Sequence, residues 1–141
     1  MITTSVLLVK NVIRPALERG VWVISDRFSD STMAYQGYGR GLSLDVIKTV
    51  NDFACETLKP DLTLLLEVSP ETALKRLQGR EAATNTAADR IEQAGADFHA
   101  RLARGFRELA KGEPYRIKTV DANGTVEEVW EAVWNLVKHL T

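Results

Sequence analysis

Apolar positions recur at helical spacing over residues 5–19, where Val6, Val9, Val12, Ile13, Ala16 and Leu17 share a face and Gly20 follows as a stop. Pro15 lacks the N–H that a helix interior needs, which predicts a kink or a late turn there. Trp22-Val23-Ile24 is a short, continuous apolar run and predicts a strand covered on both faces. Helical spacing returns from Leu44 to Leu58, and Asp61 to Val68 then predicts a second buried strand. Ser69-Pro70-Glu71 opens the next helix with a hydroxyl cap, a proline in the first turn and an acid near the positive dipole end. That helix is expected to end near Gly79. Arg80 to Ala88 is small and polar without a period, which predicts a mobile loop, and Arg90 to Lys111 is helical in composition. Tyr115 to Val120 alternates as a third strand. Thr125 and Glu128 form a capping-box pattern ahead of Val126, Val129, Trp130, Val133, Leu136, Val137 and Leu140, an amphipathic helix.

Strands separated by helices imply parallel pairing through crossovers, hence an α/β domain of three layers. The 141 residues, 45% apolar and 26% charged with a net charge of −1, fit one soluble domain spanning 1–141. So even a balance gives no electrostatic case for nucleic-acid or membrane partners. No apolar run approaches the roughly 20 residues that span a bilayer, and the opening residues do not have the pattern of a secretory leader, so the expected location is cytoplasmic. Cys55, the single cysteine, lies on the apolar face of its helix and reads as a buried thiol. Trp22, Trp130 and Trp134 read as core aromatics. His99 and His139 read as surface or packing residues, with no second ligand at metal spacing.

The chemistry concentrates in Ser25 to Gly41, SDRFSDSTMAYQGYGRG, at the end of the first expected strand. In parallel sheets ligands gather at the carboxyl ends of strands. Arg27 carries a planar fork of donors that matches a pair of phosphate oxygens and stays charged at any physiological pH. Asp26 can steady that fork or reach a magnesium ion through water. Ser31 and Thr32 offer short polar contacts, Gln36 sets a donor beside an acceptor as a base edge requires, and Tyr35 packs beside a base or in the core. A partly buried Asp26–Arg27 ion pair followed by a glycine-rich turn accounts for the same residues equally well.

Asp26-Arg27-Phe28 with Ser31, Ala34-Tyr35-Gln36-Gly37 and Gly39-Arg40-Gly41 closely resembles the thymidylate kinase family, particularly its bacterial branch. Ile13-Arg14-Pro15-Ala16-Leu17, Lys59-Pro60-Asp61-Leu62-Thr63, Leu74-Lys75-Arg76 and Asp89-Arg90-Ile91-Glu92-Gln93 followed by Phe98 resemble the same family in the same order. The resemblance implies a parallel sheet of the P-loop nucleoside monophosphate kinase type and transfer of the terminal phosphoryl group of ATP to dTMP, with Mg2+, giving dTDP. It implies that Arg27 holds the acceptor phosphate, Asp26 lies near magnesium and phosphates, and Ser31 and Gln36 contact thymine. Tyr35 and Arg40 complete the acceptor side. Arg80 to Arg90 resembles the family's lid, whose arginines close on ATP, so Arg80 and Arg90 are the lid candidates and Arg90 a catalytic one. Arg76 is expected on an exposed helix face, and Asp121 to Gly124 falls at the family's adenine-side loop. The resemblance further implies a homodimer through helices that include residues 5–19.

Two departures qualify this. The sequence contains no GxxxxGK[ST], so it resembles an N-terminally truncated member, the acceptor-site and lid part, without the P-loop and the strand expected between residues 22–24 and 62–68. Met1, Ser5 and Leu7 stand where the family has a Phe, an Arg and a Gln. The alternatives are another deoxynucleoside or nucleoside monophosphate kinase, for which the AYQG context is less suited, and a non-catalytic fragment or interaction remnant that exposes apolar surface.

Overall fold

A computed structural model describes residues 6–84 and 95–140. The opening helical run holds a π-helical turn, Val9–Ile13, followed by an α-helix, Arg14–Glu18. Pro15, inside this continuous helical run, directly follows the π-helical turn, the local distortion that its missing N–H leads one to expect. Gly20 ends the run with φ +70°, a backbone that favours glycine.

Residues 22–24 do not form the expected strand. The chain there is unpaired, with Trp22 51% and Ile24 92% exposed. An apolar run supplies an extended preference, but a strand exists only where a neighbour offers N–H and C=O groups to its edge. Among the described residues the sheet has two strands, β1 (Thr63–Glu67) and β2 (Ile117–Asp121). They are parallel, in the register Thr63 to Ile117 through Glu67 to Asp121. Ile117 and Val120 of β2 are buried, whereas Leu66 of β1 is half-exposed, so β1 is not covered on both faces as its apolar run predicts.

Between the strands lie the helices Pro70–Thr84 and Ala96–Gly112. The first runs past Gly79, its expected end, and takes in the first residues of the expected loop, because Arg80, Glu81, Ala82 and Ala83 are good helix formers and one interior glycine costs only about 1 kcal/mol. The remainder of that loop and the Asp89 to Gln93 motif lie outside the described residues. The helix expected over residues 44–58 closes earlier, at Leu44–Ala54, where Glu56 and Thr57 turn the chain with φ of 49° and 58°. Ser69 caps the Pro70–Thr84 helix by accepting from Thr72 N at 3.1 Å.

The expected capping box is present. Glu128 N donates to Thr125 Oγ1 at 3.3 Å, and Thr125 N to Glu128 Oε2 at 2.7 Å, opening Val126–Val137. This helix buries none of its residues fully, and the tryptophans are not core aromatics: Trp130 and Trp134 stack on each other, 6.1 Å apart, on an exposed face. Residue type favoured burial, but no described element covers that face. Val9, Ile13 and Cys55 do form a core, joined by Val23, Phe28 and Leu58. Burial raises the Cys55 thiol above its usual pKa, with Asp52 adding to the shift, consistent with a packing residue. No helix among the described residues is long and apolar enough to cross a membrane.

Candidate functional site

Phe28, packed against Val9, Ile13 and Cys55, pins the chain immediately after Asp26-Arg27. Ser25 Oγ donates to the Arg27 carbonyl at 2.8 Å, closing a short turn that leaves the Asp26 and Arg27 side chains exposed. Phe28 is the extended residue before a single helical turn, Ser29–Thr32, and Asn51 Nδ2 donates to Ser29 O at 3.0 Å. That turn widens into a π-helical segment, Met33–Gly39, a distortion common at functional sites. The segment can lie close to its neighbours because it is built on small residues. Ala34, Gly37 and Gly39 are buried, and a Cβ on Gly39 would stand 2.8 Å from the Phe98 ring.

Tyr35 is the junction. Its ring lies 6.2 Å from that of Phe98 and 6.3 Å, edge-on, from that of Phe106, both on the Ala96–Gly112 helix. Arg101 Nε donates to Gly39 O at 3.1 Å, fastening the other end of the π-helical segment to the same helix. On the open side, the Arg27 guanidinium sits over the Tyr35 ring at 5.1 Å from its centroid. Tyr35 hydrogen bonding, then Tyr35 and Asp26 charge, outweigh desolvation and raise the Arg27 pKa, so the group remains a permanent cation.

The height of this pair relative to the sheet follows from two contacts. Arg107 Nε donates to Glu67 Oε1 at 2.7 Å at the carboxyl end of β1, while Glu113, after the helix, meets Arg116 just before β2. The helix therefore runs from the carboxyl toward the amino ends of the strands, and Phe98 and Phe106 lie at or beyond the carboxyl end. Tyr35, held by Phe98 and Phe106, lies with them on the carboxyl side, and Arg27 reaches it from a segment that is no paired strand.

Ser31 and Gln36 lie half-buried on the same helical stretch as Tyr35, and Arg40 is exposed at its end, where its N–H bonds to Tyr35 O at 3.1 Å. Arg80 belongs to the Pro70–Thr84 helix, and Arg90 lies outside the described residues. Arg27, Ser31, Tyr35, Gln36 and Arg40 share one short segment by sequence, and the side-chain contact that the fold adds among them is that of Arg27 with Tyr35. Asp26 is the carboxylate nearest in sequence to this guanidinium. Among the described residues no three His, Cys, Asp or Glu side chains cluster as a metal site. At the strand ends, Asn123 Oδ1 accepts from Ser69 N at 2.8 Å and Arg76 Nη2 donates to Gly124 O at 3.0 Å. The 121–124 turn is held against the helix start, and Arg76 is exposed as expected but engaged.

A family profile described as thymidylate kinase matches residues 1–133. The chain belongs to the thymidylate kinase family. It is 45% identical over 127 residues to the thymidylate kinase of Syntrophotalea carbinolica, covering 89% of this chain and 59% of that protein. Against the thymidylate kinase of Synechococcus sp. (strain JA-3-3Ab) it is 47% identical over 130 residues, covering 92% of this chain and 60% of the relative. The crystal structure of thymidylate kinase from Ehrlichia chaffeensis superposes with a TM-score of 0.67 at 27% identity, over 96% of this chain and 59% of that one. The fold is therefore the α/β, parallel-sheet fold of P-loop nucleoside monophosphate kinases, and the chain spans about three-fifths of the length of these thymidylate kinases.

Sequence reasoning missed the Asp30–Arg116 pair. Arg116 Nη1 and Nη2 donate to Asp30 Oδ2 and Oδ1 at 2.7 and 2.8 Å, and Thr63 Oγ1 bonds to both residues. Asp30 lies inside the 25–41 string and Arg116 inside the third expected strand, just ahead of β2, but no spacing rule connects residues 86 apart. Hydrogen bonding to Asp30 and then to Glu113 pushes the Arg116 pKa up.

Proposed function

We propose that the chain serves phosphoryl transfer from ATP to dTMP, giving dTDP, and that its described residues form the acceptor side of that reaction. The observation that carries this reading is Arg27, exposed and stacked on Tyr35 inside the motif most like that of thymidylate kinases. Arg27 would grip the dTMP phosphate through its paired N–H groups. Ser31 and Gln36 would bond the thymine edge, and Arg40 would add positive charge on the phosphate side. Catalysis of this kind is positioning and charge neutralisation, and Arg27 supplies both for the acceptor.

Magnesium fits the site weakly. Magnesium is usually held by one or two carboxylates and by phosphates, and exposed Asp26 offers one carboxylate, reached through water. ATP is less well provided for, since the sequence has no P-loop to cradle its phosphates, and Arg80 and Arg90 are lid candidates that would add charge to a cradle supplied elsewhere. Leu7, Val12 and Leu17, exposed on the opening helical run, suit a second copy of the chain, which would make the protein a homodimer.

The test is calorimetric titration of dTMP, with dUMP as control, into the chain and its Arg27→Ala variant, alongside assays of ATP-dependent dTMP phosphorylation. Loss of one bidentate charged contact is expected to weaken dTMP binding by about 10–100-fold. Equal affinity in the two proteins would remove Arg27 from the acceptor site. Preference for another monophosphate would move the reading to a different kinase of the same fold.

A further inference from the structure

Asp30 occupies the first turn of Ser29–Thr32, where an acid facing water would already gain from the helix dipole. Instead its carboxylate has left solvent. The side chains of Arg116 and Asp30 are only 13% and 15% exposed, and both Asp30 oxygens are taken by the Arg116 fork. Thr63 Oγ1 donates to Asp30 Oδ2 and accepts from Arg116 Nη1, each at 2.9 Å, filling the space between them. Glu113 holds the far side of Arg116, with Oε2 at 2.8 Å from Nε. Thr63 opens β1, and Arg116 immediately precedes β2, its carbonyl accepting from Thr63 N at 2.9 Å. The amino ends of both strands therefore grip one carboxylate, three residues beyond Arg27.

From here the 29–39 stretch crosses to the opposite end of the sheet, where Tyr35 and Gly39 meet the Ala96–Gly112 helix. The segment is fastened at two points: Asp30 at the amino ends, and Gly39 with Tyr35 at the carboxyl side. Arg27 enters just before the first of these points and lies over a ring carried between them.

We infer that the Asp30–Arg116 pair positions the acceptor site, setting the first turn of Ser29–Thr32 on the strand ends and so fixing Arg27 over Tyr35. The inference rests on the reading of Arg27 as the ligand of the dTMP phosphate. Neither Asp30 nor Arg116 touches substrate in this scheme; both act through the placement of Arg27. A bidentate pair suits that task because it restrains direction as well as distance, whereas a lysine in place of Arg116 would keep the charge and lose the direction.

The experiment compares wild type, Asp30→Asn, Arg116→Lys and the double variant by dTMP titration and by hydrogen exchange resolved along the chain. Asp30→Asn and Arg116→Lys are each expected to weaken dTMP binding about tenfold or more. Amide exchange should quicken over residues 29–39 while the β1 and β2 amides keep their protection. The double variant should be little worse than either single one, as for two residues acting through one contact. Unchanged dTMP affinity in both single variants would overturn the inference. Exchange rising throughout the strands, in step with a general loss of stability, would overturn it too and leave the pair as a structural tie. A wild-type chain that binds no dTMP, or binds it equally well as Arg27→Ala, sinks the acceptor reading first and this use of the pair with it. Faster exchange confined to 29–39 would then mark the pair as anchoring the segment without serving a ligand.

Discussion

A Cβ on Gly105 would stand 2.6 Å from Tyr38 Cβ, 2.7 Å from its Cγ and 2.9 Å from its Cδ2. Glycine inside a helix ordinarily costs about 1 kcal/mol relative to alanine, so Gly105→Ala would stabilise an isolated Ala96–Gly112 helix. Here the contact reverses the sign, because the first ring atoms of Tyr38 cannot swing aside as the far end of a long side chain can. Gly105→Ala is expected to destabilise the chain by about 1–3 kcal/mol, the usual cost of overpacking, read as a lower urea midpoint. A raised midpoint would show that the π-helical segment shifts freely on the helix. Such close approach could not be read from the sequence, where Gly105 is one small residue in a helical pattern. Arg27 and Gln36 could be named as candidates from the sequence for the opposite reason: their chemistry lies in their own side chains and in a motif of adjacent residues. Trp22, Trp130 and Trp134 mark the limit of arguing from residue type, since burial needs a partner as well as a hydrophobic ring.

Among the elements, the turn between Ala96–Gly112 and β2 carries a titratable contact. Arg116 donates to both Glu113 oxygens, and this hydrogen bonding, against a smaller desolvation effect, holds the Glu113 carboxyl below its ordinary range, with Arg116 and Lys59 charge assisting. A carboxyl lowered in the folded state binds its proton more readily when unfolded. Its contribution is therefore complete above its unfolded pKa of about 4.3 and is lost as pH falls through the lower folded value. Glu113 is 40% exposed, which screens the interaction and keeps the effect modest. Urea midpoints should fall between about pH 5 and pH 3, and Glu113→Gln should flatten part of that fall. An identical fall in the variant would assign the acid sensitivity to other carboxyls. Elements defined within a few residues were readable beforehand. The Thr125–Glu128 box and the Ser69 cap need only neighbours three residues away, whereas the extension past Gly79 and the early stop at Ala54 turn on preferences too small to resolve without their surroundings.

For the whole molecule, the exposed apolar surface is the dominant feature. Trp22, Ile24, Phe53, Trp130 and Val12 are all more than half exposed, at 51%, 92%, 81%, 63% and 55%. Apolar surface left in water favours association, and Val12 lies on the helical run proposed for the homodimer. Light scattering over a range of concentrations should give a mass that rises above that of one chain, and Val12→Glu should push the rise to higher concentration. A mass that stays at one chain throughout would sink the homodimer.

The parallel α/β pattern, the helix starts at Ser69 and Thr125 and the motif from Asp26 to Arg40 were determined by the sequence itself, because each follows from local backbone preference or from side-chain chemistry within about one turn; the helical course of residues 29–39 was not read from it. Three matters belonged to tertiary structure. Trp22-Val23-Ile24 is no strand, since a strand needs a neighbour at hydrogen-bonding distance and none of the described segments lies alongside it. Arg27 stands over Tyr35 because Phe98 and Phe106, more than 60 residues further along, hold that ring in place. Asp30 is buried because Thr63 and Arg116 meet it at the ends of two paired strands. Contacts of this kind depend on which distant residues the folded chain brings together, and they decide how the stretch from Asp26 to Arg40 is held.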